Sequence, residues 1–124
     1  MHKQNKYMKI SIITITYNSA KTVQRALDSV QNQHYSDIEH IIVDGASSDG
    51  TREIVEKYAA DHKNVRYISE PDKGIYNALN KGIQMATGDV IGFLHSDDML
   101  YSSDSIGKIA ASFENESVDV VYGD

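Results

Sequence analysis

The sequence contains no cysteine. Disulfides, thiolate metal sites and a cysteine nucleophile are therefore excluded, and a reducing compartment fits. The single proline, Pro71, falls in a turn rather than a linker. No apolar segment approaches the length of a membrane span. The N-terminus, Met1 to Lys9, is polar and lacks the apolar stretch of a secretory signal. Basic residues are scarce: 12 against 18 acidic, a formal net charge of -6. Non-specific nucleic-acid binding needs the opposite balance. There is also no G-x-G-x-x-G after a strand and no Walker A pattern, so ordinary dinucleotide binding and P-loop chemistry lose weight.

What remains is the composition of one soluble domain: 124 residues, 40% hydrophobic and 24% charged. Residues 1–8 read as a flexible lead. Ile10 to Thr16 is rich in β-branched residues and reads as a strand. Asn18 or Ser19 is a candidate N-cap for a helix with Val23, Ala26, Leu27 and Val30 on one face. Ile38 to Val43 is a second strand, followed by a loop of small and polar residues, Asp44 to Thr51, with Asp49 a helix cap. Ile54, Val55, Tyr58 and Ala59 make the next helical stripe, and Asn64 to Ser69 a third strand.

The turn Glu70 to Gly74 leads into the most regular stripe of the chain, Ile75, Ala78, Leu79, Gly82, Ile83 and Ala86. Gly82 inside that helix costs about 1 kcal/mol against alanine, so close packing on a strand is expected there. Gly88 suits a left-handed position after the helix. Val90 to Leu94 is a short continuous apolar run, the pattern of a buried strand, and it stops at His95, Ser96, Asp97 and Asp98. Ser103 or Asp104 then caps a helix bearing Ile106, Ile109, Ala110 and Phe113, and Val118 to Val121 is a fifth strand. No internal repeat is visible beyond these units.

Strands alternating with helices predict a mainly parallel sheet covered on both faces. Its strand-to-helix loops then gather at one edge. Four loops meet there: Tyr17-Asn18, Asp44 to Thr51, Glu70 to Gly74, and His95 to Leu100. Three carry carboxylates, Asp44, Asp72, and Asp97 with Asp98; one carries an aromatic, Tyr17, and one a cation, Lys73. Adjacent carboxylates repel unless a cation lies beside them; a divalent ion bridging to phosphate supplies it. An aromatic face stacks on a base, a carboxylate accepts from base or ribose, and a lysine offers a point charge to phosphate. Each residue also has a structural reading: Tyr17 packing on the first helix, Asp44 opening a turn, Lys73 solvated, Asp97 and Asp98 forming a solvated capping turn, His95 a hydrogen-bonding neighbour.

Four stretches, in order, resemble the N-terminal, nucleotide-binding half of family 2 glycosyltransferases, inverting enzymes of the GT-A fold. They are I-S-I-I-T-I-T-Y-N at 10–18, I-E-H-I-I-V-D-G-A-S-S-D-G-T at 38–51, G-I-Y-N-A-L-N-K-G-I at 74–83, and G-D-V-I-G-F-L-H-S-D-D at 88–98. The resemblance implies a Rossmann-like GT-A nucleotide-binding domain, truncated at the C-terminus, with residues 9–124 as its donor part. It implies that Thr16 and Tyr17 line the base, that Asp44 lies by base and ribose, and that Lys73 sits near the nucleotide. Asp97 would contact the ribose or support the metal, and Asp98 would coordinate Mn²⁺ or Mg²⁺. The activity implied is metal-assisted hexosyl transfer with inversion, from a nucleotide-sugar (a UDP-sugar favoured) to a glycan or lipid-linked acceptor, in polysaccharide synthesis.

Three departures stand out: Gly45 where many members have a second Asp often assigned to base recognition, His95 where many have the first acidic residue of the D-x-D motif, and Leu79 in place of a frequent Arg. Family members are longer, so the catalytic base is expected beyond Asp124; Asp104, Glu114, Glu116 and Asp119 are poor candidates. The fragment alone is expected to be inactive. A non-catalytic nucleotide-sugar-binding module is the alternative. A receiver domain is disfavoured, because Tyr17-Asn18, Ser69-Glu70 and Tyr122-Gly123 stand where its acidic pair, phospho-accepting Asp and Lys belong. The expected location is cytoplasmic, with peripheral attachment at the inner face of the membrane left open.

Overall fold

The computed structural model describes residues 8–100, 103, 105–112 and 120–122. Five strands alternate with four helices over these residues: β1 (Ile10–Thr16), α1 (Val23–Gln31), β2 (Ile38–Asp44), α2 (Thr51–Asp61), β3 (Val65–Ser69), α3 (Ile75–Met85), β4 (Val90–Phe93), α4 (Ser105–Ser112) and β5 (Val120–Tyr122). All strand pairings are parallel, and the order across the sheet is β3-β2-β1-β4-β5. This is the α/β, Rossmann-like architecture that the alternation predicts. The chain steps outward from β1 to β3, then returns across β1 to place β4. The β1–β4 boundary is thus the topological switch point, where the carboxyl ends of an open sheet leave a crevice.

Central strands of such a sheet are apolar on both faces, and β1 is so. Ile10 and Ile12 pack with Ala26, Val30, Leu94 and Ile106 on the face of α1. Ile13 packs with Ile41, Val43, Ala78 and Phe93 on the face of α3. Val23, Leu27, Ile42, Val55 and Tyr58 join α1 and α2 over β2. Full burial of a side chain such as Leu27 is worth about 2 kcal/mol. Within this core, His40 bridges Thr14 Oγ1 and the Tyr58 hydroxyl, each at 2.8 Å. The Tyr58 hydroxyl donates to the Leu27 carbonyl. That assigns the His40 proton to Nδ1, with Nε2 accepting from Thr14. Burial drives the His40 pKa down to about 3.

Two local expectations need correction. Helix α1 begins at Val23 after Thr22, not at Asn18 or Ser19. Ser19 instead offers its carbonyl to the N–H groups of Thr22 and Val23, and Asn18 is left-handed at φ 48. Gly88 is not left-handed; glycine is required there because a Cβ would stand 2.6 Å from Ser11 Oγ and 2.8 Å from the Lys9 carbonyl. Gly82 meets its expectation: a Cβ would lie 2.6 Å from Ile13 Cγ2. The lead before Met8, Asp104, Phe113, Glu114, Glu116, Val118, Asp119 and Asp124 lie outside the described residues. No helix among the described residues is long and apolar enough to cross a membrane.

Candidate functional site

The register of the sheet brings Thr16, Asp44 and Ser69 side by side at its carboxyl edge. The Asp44 carboxylate is fully buried. Oδ1 accepts from Thr16 Oγ1 and Ser47 Oγ, both at 2.6 Å, and Oδ2 accepts from the Ser47 N–H at 2.9 Å and Ser69 Oγ at 2.8 Å. Four donors fill the acceptor capacity of a carboxylate. Desolvation raises its pKa, but the hydrogen bonds from Ser47, Thr16 and Ser69 outweigh it and hold the carboxyl below its ordinary value. Thr16 and Asp44 therefore shape the loop from inside. The resemblance implies that Thr16 lines the base and that Asp44 lies by base and ribose; in the structure the two side chains bond to each other, and Asp44 also to Ser47 and Ser69.

The loops are stapled to one another around this core. The Gly45 N–H donates to the Thr16 carbonyl, and the Glu70 N–H to the Asp44 carbonyl. The Asn18 N–H donates to Ser47 Oγ, and Asn18 Oδ1 accepts from the Ser48 N–H. The Ser19 N–H donates to Thr51 Oγ1 at 2.7 Å. Asp49 receives the Thr51 hydroxyl and N–H and the Ala20 N–H, which together lower its pKa. The N-cap of α2 is the left-handed Gly50 rather than Asp49, which accepts the first helical N–H, that of Thr51, from the position before it. The fourth loop joins through Ser96, whose hydroxyl lies 2.9 Å from Ser19 Oγ. The pairing of Ser19 with Ser96 carried no signal in the sequence, because partners 77 residues apart share no local pattern.

Onto this frame the remaining candidates project. Tyr17 is 65% exposed, with its ring edge over Gly45. Lys73 is exposed at the entrance to α3, its N–H donating to Asn77 Oδ1. The β4 segment ends in a turn closed by the Asp98 N–H and the His95 carbonyl at 3.1 Å. Asp97 is exposed and Asp98 partly buried. Among the described residues neither carboxylate has a side-chain hydrogen bond or ion pair. The same residues contain no group of three or more carboxylates or histidines able to hold a metal ion unaided. Two free carboxylates at a switch point still fit Mg²⁺ or Mn²⁺, which binds through one or two carboxylates and completes its shell with water and substrate phosphate.

Comparison with known proteins agrees with this geometry. The model for Glycosyl transferase family 2 matches residues 11–124. A PGL/p-HBAD biosynthesis glycosyltransferase of Mycobacterium bovis is 40% identical over 116 residues, covering 92% of this chain and 45% of that protein. The chain thus spans less than half the length of this curated relative. Among solved structures, the mannosyltransferase PcManGT from Pyrobaculum calidifontis, in complex with GDP-Man and Mn²⁺, superposes with a TM-score of 0.84 at 26% identity, over 91% of this chain and 34% of its own. S. aureus TarS 1-349 in complex with UDP-GlcNAc superposes with a TM-score of 0.78 at 31% identity, over 86% of this chain and 31% of its own.

Proposed function

The chain belongs to glycosyltransferase family 2, and from that premise we propose that its carboxyl edge binds the nucleotide part of a nucleotide-sugar donor for metal-assisted, inverting hexosyl transfer. The observation that carries this reading is the Asp97-Asp98 pair. It lies at the switch point, stapled through Ser96 to the loop of Tyr17, with no counter-charge among the described residues. Asp98 would hold Mn²⁺ or Mg²⁺ with support from Asp97. When bound, that ion neutralises the diphosphate and stabilises the charge that develops as it departs.

The chain's own residues do the rest. Tyr17 offers a face for the base, and Asp97 an acceptor for ribose hydroxyls. Lys73 offers a mobile positive charge to phosphate. Thr16, Asp44, Ser47 and Ser69 hold the loop in place before ligand arrives, so less ordering accompanies binding. In an inverting transfer the acceptor hydroxyl attacks the anomeric carbon opposite the leaving diphosphate, and a general base takes its proton. We place that base, an acidic side chain, beyond Asp124, so this chain is the donor-binding part and is inactive alone. The acceptor would be a glycan or lipid-linked hydroxyl in polysaccharide synthesis, and the setting cytoplasmic.

Calorimetric titration with UDP and GDP, each with and without Mn²⁺, tests the reading. Manganese-dependent binding of one nucleotide, weakened roughly tenfold or more by Asp98→Asn, is expected. Equal affinity with and without metal in both proteins would overturn the role of Asp98.

A further inference from the structure

The absence of a side chain at position 45 leaves a space that another loop fills. A Cβ built on Gly45 would stand 3.0 Å from Asp72 Oδ2 and 3.4 Å from Tyr17 Cδ1. The carboxylate of Asp72, from the turn after β3, therefore occupies the volume that an acidic side chain at position 45 would enter, beside the exposed tyrosine ring. Asp72 is partly buried. Its Oδ1 accepts from the Gly74 N–H at 3.3 Å. Its Oδ2 has no donor among the described residues. Asp44, next to Gly45 in sequence, is saturated by four donors. Of these two carboxylates, Asp72 alone has an acceptor to offer to a ligand.

We propose that Asp72 is the base-reading residue of this site, supplying from the β3–α3 turn the carboxylate that Gly45 lacks, and that the donor nucleotide carries a base with a ring N–H: uracil, thymine or guanine. The proposal rests on the nucleotide-binding reading above. An ionised carboxylate only accepts hydrogen bonds. Uracil and thymine present N3–H, and guanine presents N1–H with its exocyclic amine, so all three donate to it. Cytosine and adenine offer only an exocyclic amine, beside a ring-nitrogen lone pair that repels the carboxylate. A buried polar group left unpaired, or faced by a like group, is where a site discriminates most strongly. A charge-assisted hydrogen bond of this kind separates ligands by roughly tenfold to a hundredfold.

The test is the Mn²⁺-dependent affinity for UDP, GDP, CDP and ADP, measured on the parent chain, Asp72→Ala, Asp72→Asn and the double variant Gly45→Asp/Asp72→Ala. The parent should prefer UDP or GDP over CDP and ADP by roughly tenfold or more. Asp72→Ala should lose that preference. Asp72→Asn keeps an oxygen for the Gly74 N–H, and so the turn, but adds donors; it should flatten the preference without unfolding the loop. The double variant should restore it, because Gly45 does not have the left-handed backbone that excludes side chains and the obstructing Asp72 carboxylate is gone. Retained base preference in Asp72→Ala, or an equal loss for all four nucleotides without rescue by the double variant, overturns the assignment of Asp72 alone. Failure of the folded parent to bind any of the four overturns the nucleotide-binding reading, and this one with it.

Discussion

Glu39 and Asp44 stand on one strand, near its two ends, and both are buried. Their surroundings differ in kind. Glu39 receives Ser11 Oγ at 2.8 Å and the Thr87 N–H at 2.9 Å, and it also faces Arg66 at 2.8 Å and Lys9 at 4.0 Å. Asp44 receives only hydroxyl and amide donors. The contrast extends along both edges of the sheet. At the amino edge, cations of the chain itself meet the buried acid. At the carboxyl edge, none of Asp44, Asp49, Asp72, Asp97 and Asp98 has an ion pair among the described residues. The first edge is electrostatically complete; at the second, Glu70 pairs with Lys81 at 2.9 Å while those five aspartates have no ion pair among the described residues. On the reading proposed above, the cation-paired acid at one end of the strand serves stability and the unpaired aspartates at the other serve binding.

Substitutions test that separation. The largest effect on stability is expected from Glu39→Ala, which strands Ser11, Thr87 and Arg66 and should cost about 2 to 3 kcal/mol. The Arg66 pairing contributes the lesser part, since that side chain is 45% exposed and screened by solvent. Urea unfolding should register the loss, while metal-dependent nucleotide affinity stays within about twofold of the parent. A drop in affinity as large as that of Asp98→Asn would mean that the two edges are coupled.

Next in size is a pH effect arising between the edges, at His40. Its folded pKa is about 3 and its ordinary value 6.5, lowered by burial. As pH falls below 6.5 the unfolded chain takes up a proton that the folded chain refuses. Stability is therefore lost progressively from pH 6.5 towards 3, by up to about 1.4 kcal/mol per unit. Glu39 and Asp44 add to this at lower pH. Desolvation raises both pKa values, yet donor groups outweigh it and leave both lowered, so their contribution is present above their unfolded values and lost as pH falls through the folded ones. Thermal midpoints between pH 7.5 and 5 should trace the slope, and His40→Asn should flatten it. An unchanged slope in that variant would assign the effect elsewhere.

The smallest effect should come from Tyr17→Ala. Stability should stay within about 0.5 kcal/mol, as for other exposed positions, while nucleoside diphosphate binding weakens by about 1 kcal/mol, the lower end for base stacking on an aromatic. If affinity did not change, the ring would be surface packing rather than a platform.

Much of this edge was legible in the sequence. The β-branched run at 10–16 and the apolar stop at Leu94 marked the strand ends, and the alternation of elements brought their loops together. The structure adds what alternation does not encode, the order β3-β2-β1-β4-β5 and hence the crevice beside β1 and β4. The sequence could not separate Asp44 from Asp72. Both lie in strand-end loops, and both are the same letter. Their difference lies in donors delivered by neighbouring strands, Thr16 from one side and Ser69 from the other, which depend on register rather than on local spacing. Gly88 was misread for a similar reason: local context suggested a left-handed turn, while the real constraint is the approach of Lys9 and Ser11 across the sheet.

Gly82 sets a limit on how this protein can change. Replacing an interior helical glycine with alanine is ordinarily an easy route to greater stability, but here the new methyl group would strike Ile13. Helix α3 is thus pinned against the sheet on one side, while Ile75, Tyr76 and Ile83 are exposed on the other. Evolutionary drift and engineering alike have latitude only on that outer surface. The inner one fixes how closely the helix, and the Asp72 turn at its head, can approach β1.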